Sequence, residues 1–189
     1  FGALVGIVFA KRFPSKVKSL TISGVTAEKP DNWAQLRGQE TRNQQQIFQY
    51  EEDGFVIVPG LFDTTTVQEM AEHYMNLRAE GLKPGDYSGT ADHPEDANHK
   101  YPRMLNMHQW DKISEKWVMW PDLLTPLEQL LRDKPVIYQS MVYFKPPGAR
   151  GQAFHQDQQY LPLDPLIGVW VALDDSIEPV GPMRLVPGS

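Results

Sequence analysis

The chain has 189 residues, 41% hydrophobic and 22% charged, with a formal net charge of −6 and no cysteine. That length and apolar content suit one globular domain with a real core, not a disordered chain. The acidic balance argues against a phosphate-tracking nucleic-acid surface, and the lack of thiols excludes a disulfide scaffold, an iron–sulfur cluster and a cysteine nucleophile.

The first ten residues are apolar, but Lys11-Arg12 follow at once. A membrane-spanning helix needs about 20 apolar residues, and a signal peptide carries its positive charges ahead of the apolar run. The expectation is a cytoplasmic protein with no membrane partner and no nucleic-acid partner. Nothing in the sequence sets an oligomeric state.

Residues 1–24 are expected to form a helix and then a strand. Ala3, Leu4, Ile7 and Val8 fall near helical spacing, Pro14 stops the helix, and residues 17–22 alternate. This stretch, FGALVGIVFAKRFPSKVKSLTI, resembles the segment that follows the nucleophile elbow of α/β-hydrolases. An unrelated helix–strand unit fits the pattern equally. The resemblance would put the nucleophile before Phe1, so this piece carries no chemistry and is expected to touch the rest of the chain little. Residues 25–42, polar with Pro30 and Gly38, read as a linker, and the main domain is expected over residues 43–189.

Within that domain a short helix over residues 44–53 should end at Gly54, a natural left-handed cap. Residues 55–58 form a strand closed by Pro59-Gly60. Asp63 is placed to cap a helix running to about residue 80, with Val67, Met70, Ala71, Tyr74 and Leu77 on its apolar face and Gly81 as the stop. Residues 82–103 make a long loop over the site mouth. Two helices follow, over residues 113–120 and 123–132, with Trp110, Trp117 and Trp120 as core. From Pro135 the pattern becomes strand-like over residues 136–145, 153–160, 166–173 and 183–186, separated by Pro/Gly turns, with a turn at Asp174-Asp175. Helices followed by consecutive strands indicate a β core with helical cover, not a parallel α/β sheet.

The chemistry centres on Phe154-His155-Gln156-Asp157. On a strand, residues i and i+2 share a face, which would set an imidazole beside a carboxylate. Such a pair forms two corners of the two-histidine, one-carboxylate triad that holds Fe(II) and leaves positions open. The tripeptide alone also fits a surface His and Asp on a half-exposed strand.

The surroundings are more specific. Lys145-Pro146-Pro147-Gly148 precedes the pair, Trp170-Val171-Ala172-Leu173-Asp174-Asp175 follows it, and the sequence closes on Gly181-Pro182-Met183-Arg184-Leu185-Val186-Pro187-Gly188-Ser189. Upstream, residues 50–62 read YEEDGFVIVPGLF. In this order, across residues 44–189, these motifs resemble the phytanoyl-CoA dioxygenase family of Fe(II)/2-oxoglutarate oxygenases. The resemblance implies a mainly β fold with N-terminal helices packed on a double-stranded β-helix, or jelly roll, left incomplete at the C-terminus.

It also implies an activity and a set of site residues. The enzyme would hydroxylate a small-molecule substrate with O₂ while 2-oxoglutarate is decarboxylated to succinate and CO₂, with ascorbate as an accessory reductant. His155 and Asp157 would be metal ligands. Met141, Gln156, Trp170 and Arg103 would line the cosubstrate site. The family's second histidine ligand follows the Pro-Gly-Ser, and its 2-oxoglutarate-binding arginine lies further on, so both are expected after Ser189. The piece formed by residues 1–189 is accordingly expected to be inactive. Nothing places His73, His93, His99 or His108 at the metal. A halogenase would replace the carboxylate ligand, and Asp157 retains it. A metal-free jelly-roll binding module is the alternative from a different functional class.

Overall fold

The computed structural model describes residues 2–11, 20–24, 36–88, 95 and 97–188; for residues 2–11, 20–24, 36–43 and 98 it is the backbone that is described. Six strands, β1 (Gly2–Lys11), β2 (Leu20–Gly24), β3 (Phe55–Ile57), β4 (Met104–Leu105), β5 (Pro135–Lys145) and β6 (Leu166–Ala172), form one mixed sheet in the order β3-β2-β6-β1-β5-β4. The helices are α1 (Leu36–Asp53), α2 (Thr64–Ala79), α3 (Lys112–Val118) and α4 (Pro121–Leu131).

The helices form where their ends and faces predict. Asp63 caps α2 by accepting a hydrogen bond from the Thr66 amide at 2.7 Å, satisfying one of the orphan donors of the first turn. Val67, Met70 and Tyr74 of α2 are buried, and Ala71 and Leu77 pack partly buried against the core. Pro121 opens α4, where its missing N–H costs nothing. Leu123, Leu127, Leu130 and Leu131 then bury one stripe of that helix. Trp117 is buried, and Trp110 and Trp120 lie half-buried on the same core. Gly54 follows α1 with φ of 78°, the left-handed backbone that its position after the helix needs.

The core is set between these helices and one face of the sheet. Val142 and Phe144 of β5 and Ile167, Val169 and Val171 of β6 supply the sheet side. His73 bonds Asp111 at 2.8 Å, and Asp111 caps α3 through the Ser114 amide, so one carboxylate ties α2 to the start of α3. Burial pushes the Asp111 carboxyl up, but the bonds from Ser114 and His73 outweigh it and hold the group below the usual carboxylate range.

Four expectations are corrected. Residues 2–11 are strand, not helix: β1 pairs antiparallel with both β5 and β6. Short apolar runs are ambiguous by periodicity, and a run containing Val5, Ile7, Val8 and Phe9 suits a strand once two neighbours complete its hydrogen bonds. For the same reason this piece is not peripheral, since β1 lies inside the sheet and β2 pairs with β3 and β6. The end of the expected linker, residues 36–42, is also helix, because α1 begins at Leu36; residues 25–35 lie outside the described residues. Residues 153–156 and 183–186 are irregular, and residues 157–159 form a single 3-10 turn. The Gln/Asp-rich composition around Asp157 has little strand preference. Among the described residues, no helix is long and apolar enough to cross a membrane.

Two measurements check this architecture. Leu127, fully buried, should cost about 2–5 kcal/mol of stability on truncation to Ala, read as a lower urea midpoint. Deleting residues 1–11 should lower the Tm, because β5 and β6 lose the neighbour they share. A truncated chain that melts with the full chain would remove β1 from the folding unit.

Candidate active site

Alternation along β5 puts Ser140, Val142 and Phe144 into the core and turns Tyr143 and Lys145 to the opposite face. On β6, Gly168 and Trp170 lie on that opposite face, away from the core positions 167, 169 and 171. The strand between them, β1, meets both Met141 and Trp170 with Gly6. The Tyr143 and Trp170 rings stack at 5.3 Å, inclined by 28°. Arg103 lies over the Tyr143 ring at 4.4 Å, giving a guanidinium–phenol–indole wall.

This wall bounds a cavity of about 550 Å³, closed on its other sides by residues 150–157 and 181–185. Among the described residues that line it, Arg103, Lys145, Arg150 and Arg184 bring positive charge, against the carboxylate of Asp157. Arg184 also pairs with Glu178 on the exposed side. Burial raises the Tyr143 phenol above its ordinary range although the Arg103 cation opposes the shift, so the group stays a neutral hydroxyl near neutral pH.

His155 and Asp157 meet here, by a route other than a regular strand. The 3-10 turn of residues 157–159 brings Asp157 Oδ1 to 3.3 Å from His155 Nε2. His155 Nδ1 lies 2.7 Å from the Ala153 carbonyl oxygen, which can only accept, so Nδ1 carries a hydrogen. Gln152 sets its amide nitrogen 3.3 Å from Nε2 and its carbonyl oxygen 3.4 Å from the Tyr143 hydroxyl. An amide nitrogen can only donate, so in this network Nε2 presents a lone pair. Two electron-pair donors thus face each other at 3.3 Å beside the cavity.

That arrangement fits a first-row metal ion. Two ligand atoms each ~2.1 Å from one metal and at right angles lie ~3 Å apart. An imidazole whose Nδ1–H is held by a carbonyl is the usual form of a histidine ligand. Among the described residues, no group of three His, Asp or Glu side chains gathers to complete a metal site.

The other expected residues divide. Arg103, Gln156 and Trp170 line the cavity with His155 and Asp157. Met141 does not; it lies half-buried on β5 opposite Leu105 and Gly6, two residues before Tyr143. His73 is held by Asp111, and His99 lies in the 3-10 turn Ala97–Lys100. His108 bonds the buried Ser140 hydroxyl through Nδ1 at 2.6 Å. His93, with the loop residues 89–94 and 96, lies outside the described residues. Tyr143 and Gln152 join the site without having been anticipated. The signal for Tyr143 was available, because it shares a strand face with Lys145. Gln152 had none, because its role depends on an irregular loop.

A model of the family described as Phytanoyl-CoA dioxygenase (PhyH) matches residues 50–189. Among curated proteins, "Phytanoyl-CoA dioxygenase domain-containing protein 1" of Danio rerio is 36% identical over 87 residues, covering 44% of this chain and 30% of its own length. "Phytanoyl-CoA dioxygenase 1" of Oryza sativa subsp. japonica is 33% identical over 86 residues, covering 44% of this chain and 31% of its own length. "Phytanoyl-CoA dioxygenase" of Arabidopsis thaliana is 26% identical over 165 residues, covering 82% of this chain and 56% of its own length. The chain thus spans between about a third and just over half of the length of these relatives. No solved structure matches it.

The histidine at position 108 gives a pH prediction. Burial lowers its pKa below the ordinary 6.5, so between that value and the folded-state value the unfolded chain holds the extra proton. Stability is then fully present above 6.5 and falls as the pH drops through that window. Urea midpoints measured across it should fall more steeply for the parent chain than for His108→Gln.

Proposed function

The chain belongs to the phytanoyl-CoA dioxygenase family, and from that premise we propose that it is a non-haem Fe(II)/2-oxoglutarate-dependent oxygenase that hydroxylates a small organic substrate and releases succinate and CO₂. In this reading the sheet and helices are part of a double-stranded β-helix. The observation that carries the proposal is the convergence of His155 Nε2 and Asp157 Oδ1 to 3.3 Å beside a cavity ringed by cations.

Each residue has a physical role in that scheme. His155 and Asp157 would hold the iron, with the third corner expected from a histidine after Ser189. Iron bound there would supply the redox chemistry with O₂ and 2-oxoglutarate, with ascorbate as accessory reductant. The Ala153 carbonyl keeps His155 in the tautomer that would present Nε2 to the metal, and the Gln152 amide would give up its contact with Nε2 when the metal binds. Arg103, with Lys145 and Arg150 nearby, balances a dianionic cosubstrate, since charge-assisted hydrogen bonds to carboxylate are the strong ones. Trp170 and Tyr143 form an apolar wall that excludes water from the reacting centre. Gln156 lines the same space, and the cosubstrate contact expected of Met141 has no support in the cavity lining. The carboxylate of Asp157 favours hydroxylation over halogenation, because it occupies the position a halide would need.

Two measurements test the proposal. In the full-length protein, Asp157→Ala and His155→Ala should each abolish succinate release from 2-oxoglutarate and strongly weaken Mn(II) binding followed by electron paramagnetic resonance. Residues 1–189 alone should bind Mn(II) more weakly than a chain extended through the next histidine, since two protein ligands fix a metal poorly. Metal binding and succinate release that survive both substitutions would overturn the His155–Asp157 ligand assignment, and a full-length parent protein that neither binds Mn(II) nor releases succinate would favour the metal-free binding module.

A further inference from the structure

Outside the cavity, Arg78 on α2 is tied down through both terminal nitrogens of its guanidinium, while its buried Nε has no hydrogen-bond partner. Its two terminal nitrogens bond the Asp86 carboxylate at 2.8 and 2.7 Å, and one of them also donates to the Pro102 carbonyl oxygen at 3.1 Å. Both side chains are buried, at 8% and 9% exposure. The guanidinium lies over the Phe144 ring at 5.4 Å. Asp86 accepts in addition from the Lys83 amide at 2.9 Å.

A buried ion pair is a poor device for stability alone, because the desolvation of two charges offsets most of their attraction. What this pair fixes is local geometry. Asp86 precedes Tyr87 and Pro102 precedes Arg103, and Tyr87 and Arg103 exchange both backbone hydrogen bonds at 2.9 Å. One guanidinium therefore fastens both arms of that bridge. Gly85, at φ of 77°, lets the first arm close against β4: a Cβ there would stand 3.1 Å from the Leu105 carbonyl oxygen. The bridge in turn projects the Arg103 guanidinium over Tyr143 at the cavity wall.

We propose that Arg78, through its bidentate pair with Asp86, is a positioning residue for Arg103 that holds the Arg103 guanidinium against Tyr143 at the cavity wall. Arg78 lines no part of the cavity; it acts through the bridge. A lysine at this position keeps the charge but cannot make the fork. The consequence for ligand binding rests on the function proposed above, whereas the positioning itself does not.

The experiment has two arms on the full-length protein. In the first, with no ligand present, NMR of isotope-labelled arginine side chains follows the Arg103 Hε signal, identified by its loss in Arg103→Lys. That signal should be displaced by the ring current of Tyr143. It should move to the position of an exposed arginine in Asp86→Asn and in Arg78→Lys. It should stay in Glu51→Gln, which removes only the exposed partner of Arg132. Should Asp86→Asn fail to fold, Arg78→Lys decides the arm.

In the second arm, 2-oxoglutarate is titrated into the Mn(II)-loaded protein by calorimetry. Asp86→Asn and Arg103→Lys should each weaken binding about tenfold, and the double variant should be no weaker than Arg103→Lys alone. An Arg103 signal unmoved by loss of the fork, or penalties that simply add, would overturn the positioning role. Absence of 2-oxoglutarate binding in the parent protein, with the first arm as expected, would instead count against the proposed function and leave the positioning role standing.

Discussion

Strand β5 is the constraint on which the rest of the structure depends, because its two faces carry different jobs. Val142 and Phe144 are buried in the helical core, while Tyr143 and Lys145 between and beside them face the cavity. Since the side-chain period of a strand is two, a slip of one residue would exchange these sets. β4 and β1 on its two sides hold that register. The same core that stabilises the sheet thereby holds the aromatic wall in place.

Against this wall the half of the site that carries His155 and Asp157 is built from irregular chain. His155 and Asp157 converge because a carbonyl two residues back fixes the ring and a single 3-10 turn redirects the carboxylate. Short-range hydrogen bonds of this kind are inexpensive in chain entropy and specify side-chain direction well. Gln152 then connects the loop to the sheet by reaching both His155 and Tyr143. Loop and wall are coupled through a neutral amide, which leaves the charge balance of the cavity to its cations and to Asp157.

That balance also indicates what the cavity accepts. Among the described residues that line the cavity, Arg103, Lys145 and Arg150 stand against the carboxylate of Asp157, with Arg184 paired to Glu178, which leaves an excess of positive charge around stacked aromatic rings. An organic anion with a flat or apolar body matches both features, and a bare apolar ligand would leave the cations uncompensated. The overall acidity of the chain gave no hint of this, because net charge sums over the whole surface and says nothing about one concavity.

The sequence by itself determined the helices with clear caps and stripes, the strands of β5 and β6, and the identity of the residue pair at the site. Asp63, the leucines of α4 and the His155–Asp157 spacing are local signals, each readable within a few residues. The tertiary structure alone decided three other things. Residues 2–11 are strand because β5 and β6 offer hydrogen-bonding edges on both sides of them. The His155–Asp157 pair meets through a turn and a backbone carbonyl and not through strand alternation. Tyr143, Gln152 and Arg103 gather around that pair from β5, an irregular loop and a strand bridge far apart in the chain. Local propensity is written in neighbouring residues, whereas the choice between helix and strand for an apolar run, and the company a side chain keeps, depend on partners that only the folded chain brings within reach.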